Sequence, residues 1–211
     1  MYLAPDGAVL VAGFGASDDV DPISQPTVQP NNRGGVDAWV YKVDPDGADG
    51  ATNLFSSYFG GNSTDVATGV ASDASGAIYL TGYSFSDDLP IAGNPYQGTL
   101  DSFGRSFLTK FDLSKTGLDA LVYGTYFGGG LLDNALAMQM DEAGGVWIAG
   151  YTLSSDFPVT PNAFQTTPAG GVSDIFVTRL DPSLPPEQTV TYSTYFGGTG
   201  TDVCYGLLSL G

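Results

Sequence analysis

One tetrapeptide occurs three times in this chain at nearly constant spacing. Tyr58-Phe59-Gly60-Gly61 returns as Tyr126-Phe127-Gly128-Gly129 and as Tyr195-Phe196-Gly197-Gly198, at steps of 68 and 69 residues. An aspartate follows each tyrosine by seven positions: Asp65, Asp133 and Asp202. Other columns keep the same offset: Gly13, Gly82 and Gly150; Lys42, Lys110 and Arg179; Trp39, Phe107 and Phe176; Asp44, Asp112 and Asp181. A long period filled with short strand patterns restricts the chain to an array of like units, each of which needs a neighbour to cover its apolar face.

Each unit contains four strand candidates. The first covers Val66 to Ser72, repeated as Asn134 to Met140 and Val203 to Ser209. A tight turn follows, Asp73-Ala74-Ser75-Gly76, matched by Asp141-Glu142-Ala143-Gly144 and Ala4-Pro5-Asp6-Gly7. Glycine supplies the positive φ of such a turn, and aspartate bonds the nearby backbone. The second strand is Ala77 to Tyr83, repeated as Gly145 to Tyr151 and Ala8 to Phe14. A long loop rich in Ser, Asp, Pro and Gly leads to the third, Ser106 to Phe111, repeated as Ala38 to Val43 and Ile175 to Leu180. A variable hairpin then reaches the fourth, which ends in the tetrapeptide.

No segment sustains a 3.6-residue apolar period for three turns. Four short antiparallel strands per unit predict an all-β fold of β-propeller blades, three four-stranded blades per chain. The domain prediction is one array, residues 1–211, with units 1–65, 66–133 and 134–202 and a closing strand 203–210. Aligned by repeat, Met1 to Ala4 overlap Leu207 to Leu210, so the chain spans three units offset by one strand. The first blade is then completed by the C-terminal strand, expected from a partner chain. Three blades do not close a ring, and two chains joined head to tail give a six-bladed homodimer through a shared blade. The alternative is a piece of a longer propeller.

Composition narrows the partners. Lys plus Arg total 6 against 23 Asp plus Glu, for a net charge of −17. Phosphate-bearing nucleic acid and anionic membranes both need a basic surface, so neither is an expected partner. Cations, basic proteins and neutral sugars are compatible with this charge, and so is an acidic surface serving solubility alone. Histidine is absent, which removes the usual general base and the Ser-His and Cys-His nucleophile systems. The single cysteine, Cys204, permits no intrachain disulfide, and it aligns with Ala67 and Ala135 as a small buried thiol. No apolar run approaches a membrane span, and no signal peptide precedes Tyr2.

The motifs Tyr192-Ser193-Thr194-Tyr195-Phe196-Gly197-Gly198 with Thr201-Asp202-Val203, Asp73-Ala74-Ser75-Gly76, Thr81-Gly82-Tyr83, Ser155-Asp156-Phe157-Pro158 and Asp174-Ile175-Phe176-Val177-Thr178-Arg179-Leu180 span essentially the whole chain. They resemble the SBBP repeat family, the seven-bladed β-propeller repeat of bacterial, often secreted, proteins. The resemblance implies a propeller and an extracellular or secreted location, and it implies no shared catalytic signature. Three units depart from a seven-bladed count.

Two groups of aspartates are candidate ligand-binding residues. Asp65, Asp133 and Asp202 fall between one blade and the next, where a ring of carboxylates offers oxygen ligands to Ca²⁺. The competing expectation is that each accepts hydrogen bonds from the turn amides after Gly-Gly, fixing the blade junction. Asp88 and Asp156 lie in the long loops, where they orient sugar hydroxyls beside Phe85 or Phe157, or where Leu89-Pro90 and Phe157-Pro158 simply hold the loop between blades. The Asp44–Asp49 segment fails the calcium-loop pattern and is expected to be a solvated hairpin. Lys42, Lys110 and Arg179 are expected either to pair with aspartates or to line a solvated edge. The functional expectation is a non-catalytic binding or scaffolding module for a carbohydrate or protein ligand. The alternatives are a carbohydrate-active hydrolase or lyase working through Asp pairs, and a purely structural product of duplication.

Overall fold

The computed structural model describes residues 1–18, 27–48, 50–101 and 103–208. It is all-β, with three four-stranded antiparallel sheets. Sheet one contains β1 (Tyr2–Leu3), β2 (Val9–Gly15), β3 (Asp37–Asp44) and β4 (Thr52–Phe59). Sheet two contains β5 (Asp65–Ser72), β6 (Ile78–Ser84), β7 (Arg105–Phe111) and β8 (Leu121–Phe127). Sheet three contains β9 (Asp133–Met140), β10 (Val146–Thr152), β11 (Asp174–Leu180) and β12 (Val190–Phe196). In each sheet the strands lie in chain order.

Local chemistry accounts for the hairpins. Gly7, Gly76 and Gly144 each hold φ near +85°, and the preceding aspartates accept backbone amides: Ser75 and Ala77 donate to Asp73 Oδ1, and Ala143 and Gly145 donate to Asp141 Oδ1. The third-strand cations pair with these same turns. Lys42 Nζ lies 2.6 Å from Asp6, Lys110 Nζ 3.0 Å from Asp73 and Arg179 Nε 2.6 Å from Asp141. Ion pairing is thus the one of the two expectations that holds for this column.

The sheets stack in series through alternating faces. Leu10, Val40, Phe55 and Phe59 of sheet one pack on Ile78, Leu80, Phe107 and Phe111 of sheet two. The opposite face of sheet two carries Tyr79, Leu108, Tyr123 and Phe127, which pack on Val146, Ile148, Phe176 and Leu180 of sheet three. Side chains alternate sides along a strand, so a strand buried on both faces reads as nearly continuous apolar sequence. The sequence Ile78-Tyr79-Leu80 has that form.

The first strands carry a bulge that explains the Gly82 and Gly150 column. Ala67 faces Gly82 and Gly69 faces Thr81, leaving Thr68 extra; likewise Ala135 faces Gly150 and Ala137 faces Ala149. The bulge drives the Val66 and Asn134 carbonyl oxygens onto the glycine Cα atoms, where a Cβ would overlap them.

Within the single chain the terminal segments depart from the repeat pattern. Of the closing strand expected over 203–210, residues 209 and 210 lie outside the described residues, and 203–208 carry no strand in the single chain. Sheet three is already complete with four strands, and a lone strand finds no ladder partner within its own chain. Cys204 accordingly is half-buried, not enclosed. Sheet one does have a first strand, but only the two residues Tyr2 and Leu3, which pair with Leu10 and Val9.

The long loops start beside the sheet junctions and then pass along the outer strand of their own sheet, covering its edge. Tyr58, Tyr126 and Tyr195 donate their backbone amides to the Gln29, Gln97 and Gln165 carbonyls at 3.0, 3.0 and 3.1 Å. Covering an outer strand in this way blocks edge-to-edge pairing.

Candidate functional site

The two groups of aspartates singled out in the sequence converge on one arrangement at each sheet junction. Asp65 opens β5 and is fully buried. Its Oδ2 accepts the Gly61 amide at 2.8 Å and the Ser86 hydroxyl at 2.7 Å, and its Oδ1 accepts the Ser84 hydroxyl. Asp88 stands on the exposed rim, where its Oδ1 accepts the Asn62 amide at 2.7 Å and its Oδ2 lies 3.6 Å from Arg33.

The second junction repeats the first with different side chains. Asp133 opens β9 and is fully buried, accepting the Gly129 amide at 2.7 Å, the Ser154 hydroxyl at 3.1 Å and the Thr152 hydroxyl. Asp156 accepts the Gly130 amide at 2.8 Å from the rim. At the third position Asp202 accepts the Gly198 amide at 2.8 Å and is only half-buried.

The turn-amide bonds expected of the Asp65, Asp133 and Asp202 column are therefore present at all three positions. At Asp65 and Asp133 the carboxylate oxygens accept hydrogen bonds from turn amides and from Ser and Thr hydroxyls. Among the described residues no group of three or more His, Cys, Asp or Glu side chains gathers as a metal site.

Sequence reasoning missed the hydroxyl partners. Ser84 and Thr152 share one repeat column, and Ser17, Ser86 and Ser154 another, so the signal was present as a weak small-polar periodicity. It also missed the role of the motif tyrosine. The Tyr126 hydroxyl donates to the Ser86 carbonyl at 2.6 Å and accepts the Leu89 amide at 3.1 Å. Tyr195 does the same with Ser154 and Phe157 at 2.8 and 2.9 Å, and Tyr58 donates to Ser17 at 2.7 Å. Each tyrosine ties the head of the long loop to the outer strand. Phe157 is buried and stacked on Phe176 at 4.6 Å, which removes it as an open platform for a sugar; Phe85 stays partly exposed at 39 %. The Leu89 and Phe157 side chains hold the loop, as the second expectation for this segment stated.

Burial dominates the electrostatics. It pushes the Asp133 carboxyl up to about 6, against the opposing hydrogen bonds from Thr152, Gly129 and Ser154, and it also raises Asp65. A carboxyl raised in the folded chain keeps its proton after the unfolded chain has lost it. The stability it contributes is present at acid pH and falls as pH rises towards about 6. The melting temperature of Asp133→Asn is expected to lack this component of the decline that the parent chain shows between about pH 4 and pH 7. Identical pH profiles for the two proteins would contradict the assignment.

On the hairpin side, a groove of about 720 Å³ lies between sheets two and three, lined among others by Asp73, Tyr79, Lys110, Tyr123, Asp181 and Pro185. Lys110 Nζ lies 4.9 Å from the Tyr79 ring centroid, and the Tyr123 side chain is buried. Glu142 and Glu187 are exposed and lie outside the lining of this groove.

Comparison with protein-family models and with curated proteins finds no match for this chain.

Proposed function

We propose that this chain is a non-catalytic β-propeller module whose two end faces assemble with a second copy, giving a six-bladed scaffold from two chains. One observation carries this reading: the same repeat positions are buried inside the stack and uncovered at its ends. Phe127 is 1 % exposed and its repeat equivalent Phe196 is 54 % exposed. Leu108 and Tyr123 are buried while Val177 and Tyr192 are half-buried, and Trp147 is half-buried where Tyr79 is enclosed. At the other end Val9, Val11, Trp39 and Val43 are half-buried, whereas Ile78, Leu80, Phe107 and Phe111 are fully buried.

The two end faces are the two halves of the contact that already joins sheet one to sheet two and sheet two to sheet three. An uncovered apolar face of this kind marks an interaction surface. Joining unlike faces head to tail closes a ring when the rotation permits it. The resemblance of the repeat motifs to SBBP propellers supports the same reading, and it is the basis for proposing an extracellular or secreted location. A carbohydrate or protein ligand would bind to the assembled scaffold, with Asp88 and Asp156 on the exposed rim as its polar contacts.

Light scattering over rising protein concentration tests the assembly. The mass is expected to move from one chain to two, and Phe196→Asp, at a position already exposed in the single chain, is expected to weaken association at least about tenfold. A mass of one chain at every concentration would end the proposal.

A further inference from the structure

We infer that the groove between sheets two and three is a binding site for a short neutral saccharide. The groove lies within one chain, so this site extends the ligand-binding part of the function proposed above and does not depend on a second copy.

The opening of this groove is written in the repeat. The hairpin from β7 to β8 is matched by the one from β11 to β12, with Asp112, Leu113 and Gly117 in the columns of Asp181, Pro182 and Pro186. In the first hairpin Leu113 packs on the core between sheets one and two, and the Gly117 amide donates to the Thr27 carbonyl, in the long loop of sheet one, at 2.9 Å. In the second hairpin Pro182 and Pro186 line the groove. Proline has no N–H, so the bond that ties the first hairpin to the neighbouring sheet cannot form at the second. The facing sheet changes in the same sense. Leu10 and Phe55 of sheet one belong to its apolar core, whereas Tyr79 and Tyr123 hold those columns in sheet two and bring phenol rings to the groove. Four columns thus differ together between the two junctions. The resulting space of about 720 Å³ falls within the size range of small-molecule sites.

The polar groups on the walls select the ligand. Lys110 Nζ pairs with Asp73 at 3.0 Å, and the Tyr79 hydroxyl donates to the same carboxylate at 3.2 Å. An ammonium carries three donors, so the Asp73 pair leaves donor capacity towards the groove. Asp181 accepts the Ser183 amide and hydroxyl through Oδ1, at 3.0 and 2.6 Å, and its Oδ2 is a further acceptor. Asn94, exposed on the lining, carries both an amide donor and a carbonyl acceptor. An anionic ligand would meet Asp73 and Asp181 along with Lys110, on a chain of net charge −17. A basic ligand would face Lys110 and compete with it for Asp73. Sugar hydroxyls both donate and accept, which suits Lys110 and Asn94 as donors and Asp181 as acceptor. The tyrosine rings, Pro182 and Pro185 supply apolar surface for the C–H faces of a pyranose ring.

Titration calorimetry on the full chain tests the site, with neutral trisaccharides of glucose, mannose, galactose and N-acetylglucosamine as the probes. At least one of them is expected to bind the parent chain. Pro182→Leu restores the side chain of the first junction and keeps every polar group of the groove; by filling the space it is expected to weaken that binding at least about tenfold. Lys110→Met is expected to weaken it by a similar factor, about tenfold, through the lost donors. Lys42→Met makes the same change in the matching column of sheet one and is expected to stay within about twofold of the parent affinity. Urea midpoints run in parallel show that each variant is folded, and Pro182→Leu carries the test if Lys110→Met is not. Equal weakening by Lys42→Met and Lys110→Met would overturn the groove. Binding lost in Asp156→Asn and kept in Pro182→Leu would put the saccharide on the exposed rim and overturn it as well. If none of the four trisaccharides binds, the saccharide inference falls, while a two-chain mass by light scattering leaves the scaffold reading standing.

Discussion

Replacing Gly82 by alanine is expected to destabilise the chain by about 3 kcal/mol, a large effect for the addition of one methyl group. Gly82 sits in β6, the second strand of the central sheet, opposite the bulge in β5. An added Cβ would overlap the Val66 carbonyl oxygen and press on the Ala67 Cα at 3.0 Å. Both obstacles are backbone, so no rotamer change relieves them, and β5 also carries Asp65 and the packing against sheet one. Displacing β5 would therefore disturb the junction as well as the ladder. Gly76→Ala provides the comparison: it lies at φ +85° in an exposed turn with nothing within 4 Å, so only the left-handed backbone is penalised, by about 1 kcal/mol. Urea unfolding midpoints of the two variants distinguish the effects, and a loss at Gly82 no greater than at Gly76 would refute the bulge contact.

Tyr126→Phe is expected to cost about 2–4 kcal/mol although it removes a single oxygen atom. The hydroxyl is simultaneously a donor to the Ser86 carbonyl and an acceptor for the Leu89 amide, and both backbone groups are in buried surroundings. Phenylalanine fills the same space, leaves the Leu89 amide without this partner and leaves the Ser86 carbonyl only the Ser84 hydroxyl at 3.5 Å, so the cost is that of desolvated groups and not of a cavity. Tyr195→Phe is expected to behave alike through Ser154 and Phe157. Tyr205→Phe, at a side chain 80 % exposed, is expected to stay within about 0.5 kcal/mol of the parent chain. Calorimetric melting of the three variants checks the ranking, and equal stabilities for Tyr126→Phe and Tyr205→Phe would remove the hydroxyl clasp from this account.

Much of the fold was legible because repetition multiplies weak signals. A single Asp-x-x-Gly turn or a single apolar triplet says little, but the same turn at Asp73 and Asp141 and the same strand at Ile78 and Val146 fix the element order. The salt bridges of Lys42, Lys110 and Arg179 were foreseeable for the same reason: each alternates with apolar neighbours and faces an acidic turn. The candidate site was half legible. Asp65 and Asp133 stood out, and so did Asp88 and Asp156, but nothing in linear order showed that each inner carboxylate shares a junction with an outer one. Ser84 and Ser86 reach Asp65 from 19 and 21 residues away, across a sheet and a loop. Contacts of that separation depend on how the loop leaves β6.

Asp37, Arg105 and Asp174 illustrate the same limit. They share one repeat column, and all three are buried. In chain order they stand one residue before the third strands that the sequence predicts. In space Arg105 donates to the Gly129 carbonyl and lowers the cost of the charge on Asp133, whereas Asp37 adds a second carboxylate near Asp65 and is itself raised by burial. Opposite charge and like charge thus occupy equivalent junctions of one molecule.

The periodicity of the amino acids alone determined the number of sheets, the strands within them, the turn chemistry and the columns that would be apolar, because these follow from local backbone geometry and from side-chain alternation along each strand. Only the tertiary structure decided that the junction carboxylates are closed around by hydroxyls and amides, that the long loops cover the outer strands, and that residues 203–208 are left without a ladder inside their own chain. Those outcomes depend on which surfaces meet, and a repeat that specifies identical faces in every unit cannot by itself say which copies of those faces will be covered.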